Sequence, residues 1–165
     1  MEQLSKELES NNGLPRIVAF SREKSHCWSM MPAMLERIGK FAEKYCPDTY
    51  PPALVESVMR DFAEPKPGFF ILGAMNEDYD LKGHMIACIS IPPWSNQRRC
   101  LILQYGLDES LPIGLVRAAS EMLVDWAKEQ YCNRIIAETK TEQARRAFEI
   151  FYGFKTDMIQ VSREL

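Results

Sequence analysis

The chain has 165 residues, 46% of them hydrophobic and 26% charged, and a formal net charge of −3. That is enough chain to bury one sizeable core, so a single domain over 1–165 is expected, with 1–14 a polar lead. The near balance of charge excludes the broad basic face of a nucleic-acid binder, and the apolar content excludes a disordered chain.

After the lead, "PRIVAFS" alternates like a strand with Pro15 at its edge. From Ser25 to Ala63 the pattern is helical. Met31, Met34, Leu35, Ile38 and Phe41 fall at spacings of three and four, with Pro32 suited to a first helical turn. "CPDTYPP" stops that helix, and "PALVESVMRDFA" forms another that ends at "EPKPG". Two strands, "GFFILGAMN" and "GHMIACISI", flank a polar turn, and "CLILQYGLD" is a third. Arg98 and Arg99 precede it in what reads as a solvated loop.

Pro112 to Tyr131 is the clearest helix, with Leu115, Ala118, Ala119, Met122, Leu123 and Trp126 on one stripe. "NRIIAET" reads as a short buried strand, "EQARRAFEIFYG" as a helix closed by Gly153, and "FKTDMIQVSREL" as a last strand. The order β-α-α-β-β-β-α-β-α-β predicts an α/β fold. Its central sheet is mixed, mostly antiparallel and twisted, with helices on both faces. The strand 101–107 should run parallel to that of 134–139, joined by the 112–131 helix.

The five cysteines, Cys27, Cys46, Cys88, Cys100 and Cys132, include no CxxC pair. With two histidines in the chain, no metal site is expected. The N-terminal "MEQLSKELESNNG" is acidic and polar, and no apolar run has spanning length, so a reduced, soluble, cytoplasmic protein is expected, without a membrane partner. His84 reads as a satisfied structural residue within an apolar strand.

The element order, the hairpin "GFFILGAMNEDYDLKGHMIACISI", the strand "LILQYGLDES", the stretch "LVRAASEMLVDWAKEQYCNRIIAET" and the closing "ARRAFEIFYGFK" together resemble the GNAT superfamily of acyl-coenzyme A-dependent N-acyltransferases. The resemblance covers roughly Arg16 to Leu165. It implies direct transfer of an acyl group from acetyl-coenzyme A to an amine of a small molecule or a protein, with a dimer one allowed state.

On that resemblance, the backbone of Gln104, Tyr105, Gly106 and Leu107 pairs with the pantetheine arm, and Leu111, Ile113, Gly114 and Leu115 surround the pyrophosphate. His26 and Trp28 line the acceptor site, while Tyr105, Glu149 and Tyr152 are the proton-handling candidates. The sequence departs from the family where the phosphate loop should be glycine-rich: "DESLPIGLVRA" keeps only Gly114. Pro112 lacks an N–H, and Asp108 and Glu109 bring negative charge, so the cofactor is expected to be held weakly or not at all. The alternative is a non-catalytic GNAT-fold binding or structural module, such as an accessory protein of a virus particle or other large assembly.

Overall fold

In the computed structural model the described residues are 16–20, 25–45, 50–63, 68–76, 81–108, 111–139 and 142–155. They form β1 (Arg16–Ala19), α1 (Ser25–Tyr45), α2 (Pro51–Ala63), β2 (Phe69–Met75), β3 (Leu81–Ser90), β4 (Arg99–Leu107), α3 (Ile113–Glu129), β5 (Arg134–Ala137) and α4 (Glu142–Tyr152). The five strands make one sheet in sequence order. β1 to β4 pair antiparallel, and β4 pairs parallel with β5 across the α3 crossover. This is the expected mixed α/β sheet. The strand expected from Phe154 onward lies almost wholly outside the described residues.

Helical periodicity puts one apolar stripe of each helix on the sheet. On α1, Cys27, Met30, Met31, Met34, Ile38 and Ala42 are buried, at intervals of one to four residues that stay on one face. All but Ala42 pack with Val58 of α2 against Val18, Ile71, Met75 and Ile86. Pro32 lies inside α1 rather than in its first turn, because the helix starts at Ser25; it is exposed and removes one donor from the ladder.

On the other face, Leu123, Trp126 and Ala127 of α3 and Phe148 of α4 pack on Phe70, Leu72, Met85 and Ala87, with Leu115, Ala119 and Met122 beside them. Trp126 stacks on Phe70 at 5.0 Å between ring centroids. This is the stripe that the sequence predicts.

α3 and α4 each stop at a left-handed residue. Gly153 (φ 66°) ends α4 as expected. α3 stops at Tyr131 (φ 57°), with the Tyr131 and Cys132 N–H groups returning to the Lys128 and Ala127 carbonyls. Arg99 opens β4 itself, and the Nε atoms of Arg98 and Arg99 are buried, so this pair is not the solvated loop its polarity suggests.

Candidate functional site

The site is built from a break in β4. Ile86 of β3 pairs with Gln104, but Ala87 pairs with Ile102, so Leu103 is an extra residue in the strand. A strand repeats every two residues, and one extra residue inverts which side chains face which way. Before the bulge, Cys100 and Ile102 face the α3–α4 core; after it, Tyr105 does. Gln104 and Gly106 therefore turn to α1, where the Gln104 amide donates to the Ile38 carbonyl at 3.4 Å and a Cβ on Gly106 would strike the His84 ring.

The bulge also marks where β4 loses a neighbour. β5 pairs with Arg99 to Ile102 and stops at Ala137, while β4 continues to Leu107. The Asp108 N–H donates to the Lys82 carbonyl on β3. By antiparallel alternation, Gly106 and Gln104 also direct their backbone groups to β3, and Tyr105 and Leu107 direct theirs to the opposite edge. That edge has no strand partner among the described residues. Leu103 and Leu107 beside it are 54% and 40% exposed.

The α3 N-terminus lies just beyond. Pro112 is its N-cap, with φ −58° and ψ 136° and no side-chain cap bond among the described residues. The Leu111 N–H donates to the Asp108 carbonyl and the Leu115 N–H to the Pro112 carbonyl, so neither is open to a ligand. Ile113 and Gly114 are exposed at the helix start, and their N–H groups have no acceptor among the described residues. A Cβ on Gly114 would meet nothing within 4 Å. Two open donors at a helix N-terminus favour an anion, although a glycine-rich loop would offer more.

The expected repulsion from Asp108 needs correction. Arg37 of α1 pairs with Asp108 at 2.8 Å and donates to the Leu81 and Lys82 carbonyls at 3.1 Å each, so Asp108 is already matched by a cation. Glu109 and Ser110 lie outside the described residues.

The proton-handling candidates fare differently. Tyr105 sits edge-on to Phe148 at 4.6 Å, and burial raises its phenol above the ordinary value, so it keeps its proton at neutral pH. Glu149 accepts from Arg145 at 2.6 Å. Arg145 also holds Glu142, whose carboxyl is pulled down to about 2 chiefly by hydrogen bonds from Arg145 and Arg146. The side chains of Tyr152 and His26 lie outside the described residues.

Trp28 is not brought to the free edge. The adjacent Cys27 Sγ lies 3.9 Å from the Ala19 carbonyl on β1, at the opposite edge of the sheet. The part of α1 that reaches β4 is its second half, through Arg37, Ile38 and Phe41.

His84 was expected to be satisfied. It is 2% exposed, lies edge-on to Phe41 at 5.8 Å, and neither ring nitrogen has a hydrogen-bond partner among the described residues. Desolvation, aided by the charge of Arg37, lowers its pKa to about 4, while the nearby Gln104 works weakly the other way. Among the described residues no cluster of metal-ligating side chains is present, and no helix is long and apolar enough to cross a membrane.

The fold matches solved acetyltransferase structures. One is an acetyltransferase from Trypanosoma brucei, 16% identical, covering 92% of this chain and 99% of that one, with a TM-score of 0.65. The chain has the GNAT acetyltransferase fold. An aminoglycoside N-acetyltransferase solved in complex with CoA is 12% identical, with coverage of 95% and 99% and a TM-score of 0.66. An aminoglycoside 6'-N-acetyltransferase from Acinetobacter baumannii is 14% identical, with coverage of 92% and 98% and a TM-score of 0.64. No protein-family model matches the sequence, and no curated protein sequence matches it.

Proposed function

We propose that this GNAT-fold protein is an N-acyltransferase that moves an acetyl group from acetyl-coenzyme A directly to the amine of a small acceptor. The observation that carries the reading is the stretch of β4 beyond the Leu103 bulge, whose outer edge has no strand partner among the described residues. The residues present fit the cofactor. Tyr105 and Leu107 offer backbone donors and acceptors along one edge, Leu103, Leu107 and Ile113 offer exposed apolar contact, and Ile113 and Gly114 offer N–H groups to phosphate.

The bound cofactor supplies an already activated thioester. The chain's own part is to align that bond with the amine, and well-oriented reactants save on the order of 7–11 kcal/mol. An N–H on the free edge of β4 would stabilise the carbonyl oxygen as it gains charge. The Tyr105 phenol, kept protonated by burial, suits proton donation to the departing sulfur better than Glu149, which is engaged by Arg145. The small-amine acceptor follows from aminoglycoside N-acetyltransferases sharing the fold, and remains part of the proposal.

A second reading, a GNAT-fold binding module without catalysis, is favoured by the α3 start, where Pro112 removes one donor and only Gly114 is small. Thermal unfolding with added acetyl-coenzyme A separates the two. A ligand at a hundred times its Kd stabilises by about 2.7 kcal/mol, visible as a rise in Tm. Stabilisation together with release of free thiol when an amine such as an aminoglycoside is added supports the enzyme. Absence of any Tm shift at millimolar cofactor rejects it in favour of the module.

A further inference from the structure

We propose that Arg37, His84 and Gln104 are positioning residues that hold the free half of β4, Gln104–Leu107, in the shape a cofactor's amides must meet. This inference rests on the acyltransferase reading. Its starting point is mechanical: half a strand without a neighbour on one side needs support from elsewhere, and α1 supplies it at two places and β3 at one.

Gln104 donates to the Ile38 carbonyl at 3.4 Å. The His84 ring lies over Gly106, so closely that a Cβ there would be 2.7 Å from its Cε1 and 3.2 Å from its Nδ1. Arg37 closes the far end, bonding Asp108 at 2.8 Å and the Leu81 and Lys82 carbonyls at 3.1 Å. The contacts therefore follow the unsupported segment from its first residue to the one after its last.

The arrangement is not what stability alone favours. His84 Nδ1 and Nε2, Gln104 Oε1 and Arg37 Nε are all buried without a hydrogen-bond partner among the described residues. Buried polar atoms without partners are destabilising, and an apolar side chain of similar shape avoids that cost. The rest of this face is apolar in just that way, lined by Met30, Met31, Met34, Ile71 and Ile86. Polar side chains here hold backbone at defined points, which oily side chains cannot do.

The two explanations give opposite signs. Gln104→Met keeps the length of the side chain, removes one partnerless oxygen and breaks the tie to α1. If Gln104 is a positioning residue, Tm stays level or rises. The Asp108 amide, which bonds to Lys82, exchanges with solvent faster, and acetyl-coenzyme A binds about tenfold more weakly by calorimetry. A merely structural glutamine lowers Tm and affinity together. Unchanged affinity and exchange overturn the proposal.

The second arm uses the close approach. Gly106→Ala should weaken binding by pushing the strand from His84, and adding His84→Ala should recover most of the loss, whereas no recovery counts against the proposal. The Gln104→Met arm decides the matter alone should Gly106→Ala be insoluble. If wild type binds no acetyl-coenzyme A, the acyltransferase reading fails while the exchange data still report whether the half-strand is held. If wild type binds and neither variant departs from it, only the positioning role fails.

Discussion

On the α3–α4 face the sheet meets rings: Trp126 on Phe70, and Tyr105 and Phe154 on Phe148. On the α1 face it meets methionines and then, near β4, a polar patch of Arg37, His84 and Gln104. The aromatic face gains by burying area and by ring geometry, and its buried thiol, Cys100, stays neutral because burial pushes it up to about 12. The α1 face gains less where it is polar, and the polar part lies beneath the strand segment that β5 leaves open. Both faces bury a core, but among the described residues only the α1 face places buried polar side chains under the free edge.

The largest expected effect tests the aromatic face. Trp126→Ala should cost about 3–5 kcal/mol in urea unfolding, because a large buried ring leaves a cavity that the helix cannot close. A loss below about 1 kcal/mol would mean that the ring carries little of the core.

Next comes pH, which acts on the α1 face. An unfolded histidine titrates near 6.5, whereas His84 in the folded protein does so at about 4. Between those values the unfolded chain binds more protons, so stability present above pH 6.5 is lost as pH falls through the window to 4. The full loss is about 3 kcal/mol for this one group. Unfolding curves at pH 7 and pH 4.5 should differ in wild type, with a smaller difference in His84→Leu. Equal differences in the two proteins would remove the basis for treating the α1 face as the pH-sensitive one.

The smallest effect concerns the ion pair that closes the polar patch. Asp108 and Arg37 are 39% and 25% exposed, so water screens them and Asp108→Asn should cost about 0.2–1 kcal/mol. The cost should shrink in high salt. A loss of several kcal/mol would show the pair to be effectively buried and part of the core.

Much of the fold was legible because it is periodic. The stripes of α1 and α3 and the crossover between β4 and β5 are written in spacings of three, four and two, which survive without any tertiary information. The site is less legible because it depends on departures from period. Nothing in "CLILQYGLD" marks Leu103 as the extra residue, since Leu101, Ile102 and Leu103 form one apolar run. Arg37 and Asp108 are 71 residues apart, and the charge of Asp108 read alone suggests repulsion of a phosphate. Which turns of α1 reach β4 is likewise hidden from spacing: Ile38 and Phe41 lie against Gln104 and Gly106, while Trp28 sits about three turns earlier, next to Cys27 beside β1. The stop at Tyr131 carries no glycine to announce it.

Beyond the bulge at Leu103 the length of β4 counts in pairs. Deleting Leu103 alone would remove the bulge and leave every facing as it is, because Ile102 and Gln104 already oppose consecutive residues of β3, whereas deleting one residue after the bulge would turn all later side chains to the wrong face. Deleting two residues after the bulge would keep every facing and shorten the free edge by about 6.6 Å, at about 3.3 Å per residue. Beyond the bulge the edge is therefore adjustable in length by even steps and intolerant of odd ones, a parity rule from which Leu103 alone is exempt.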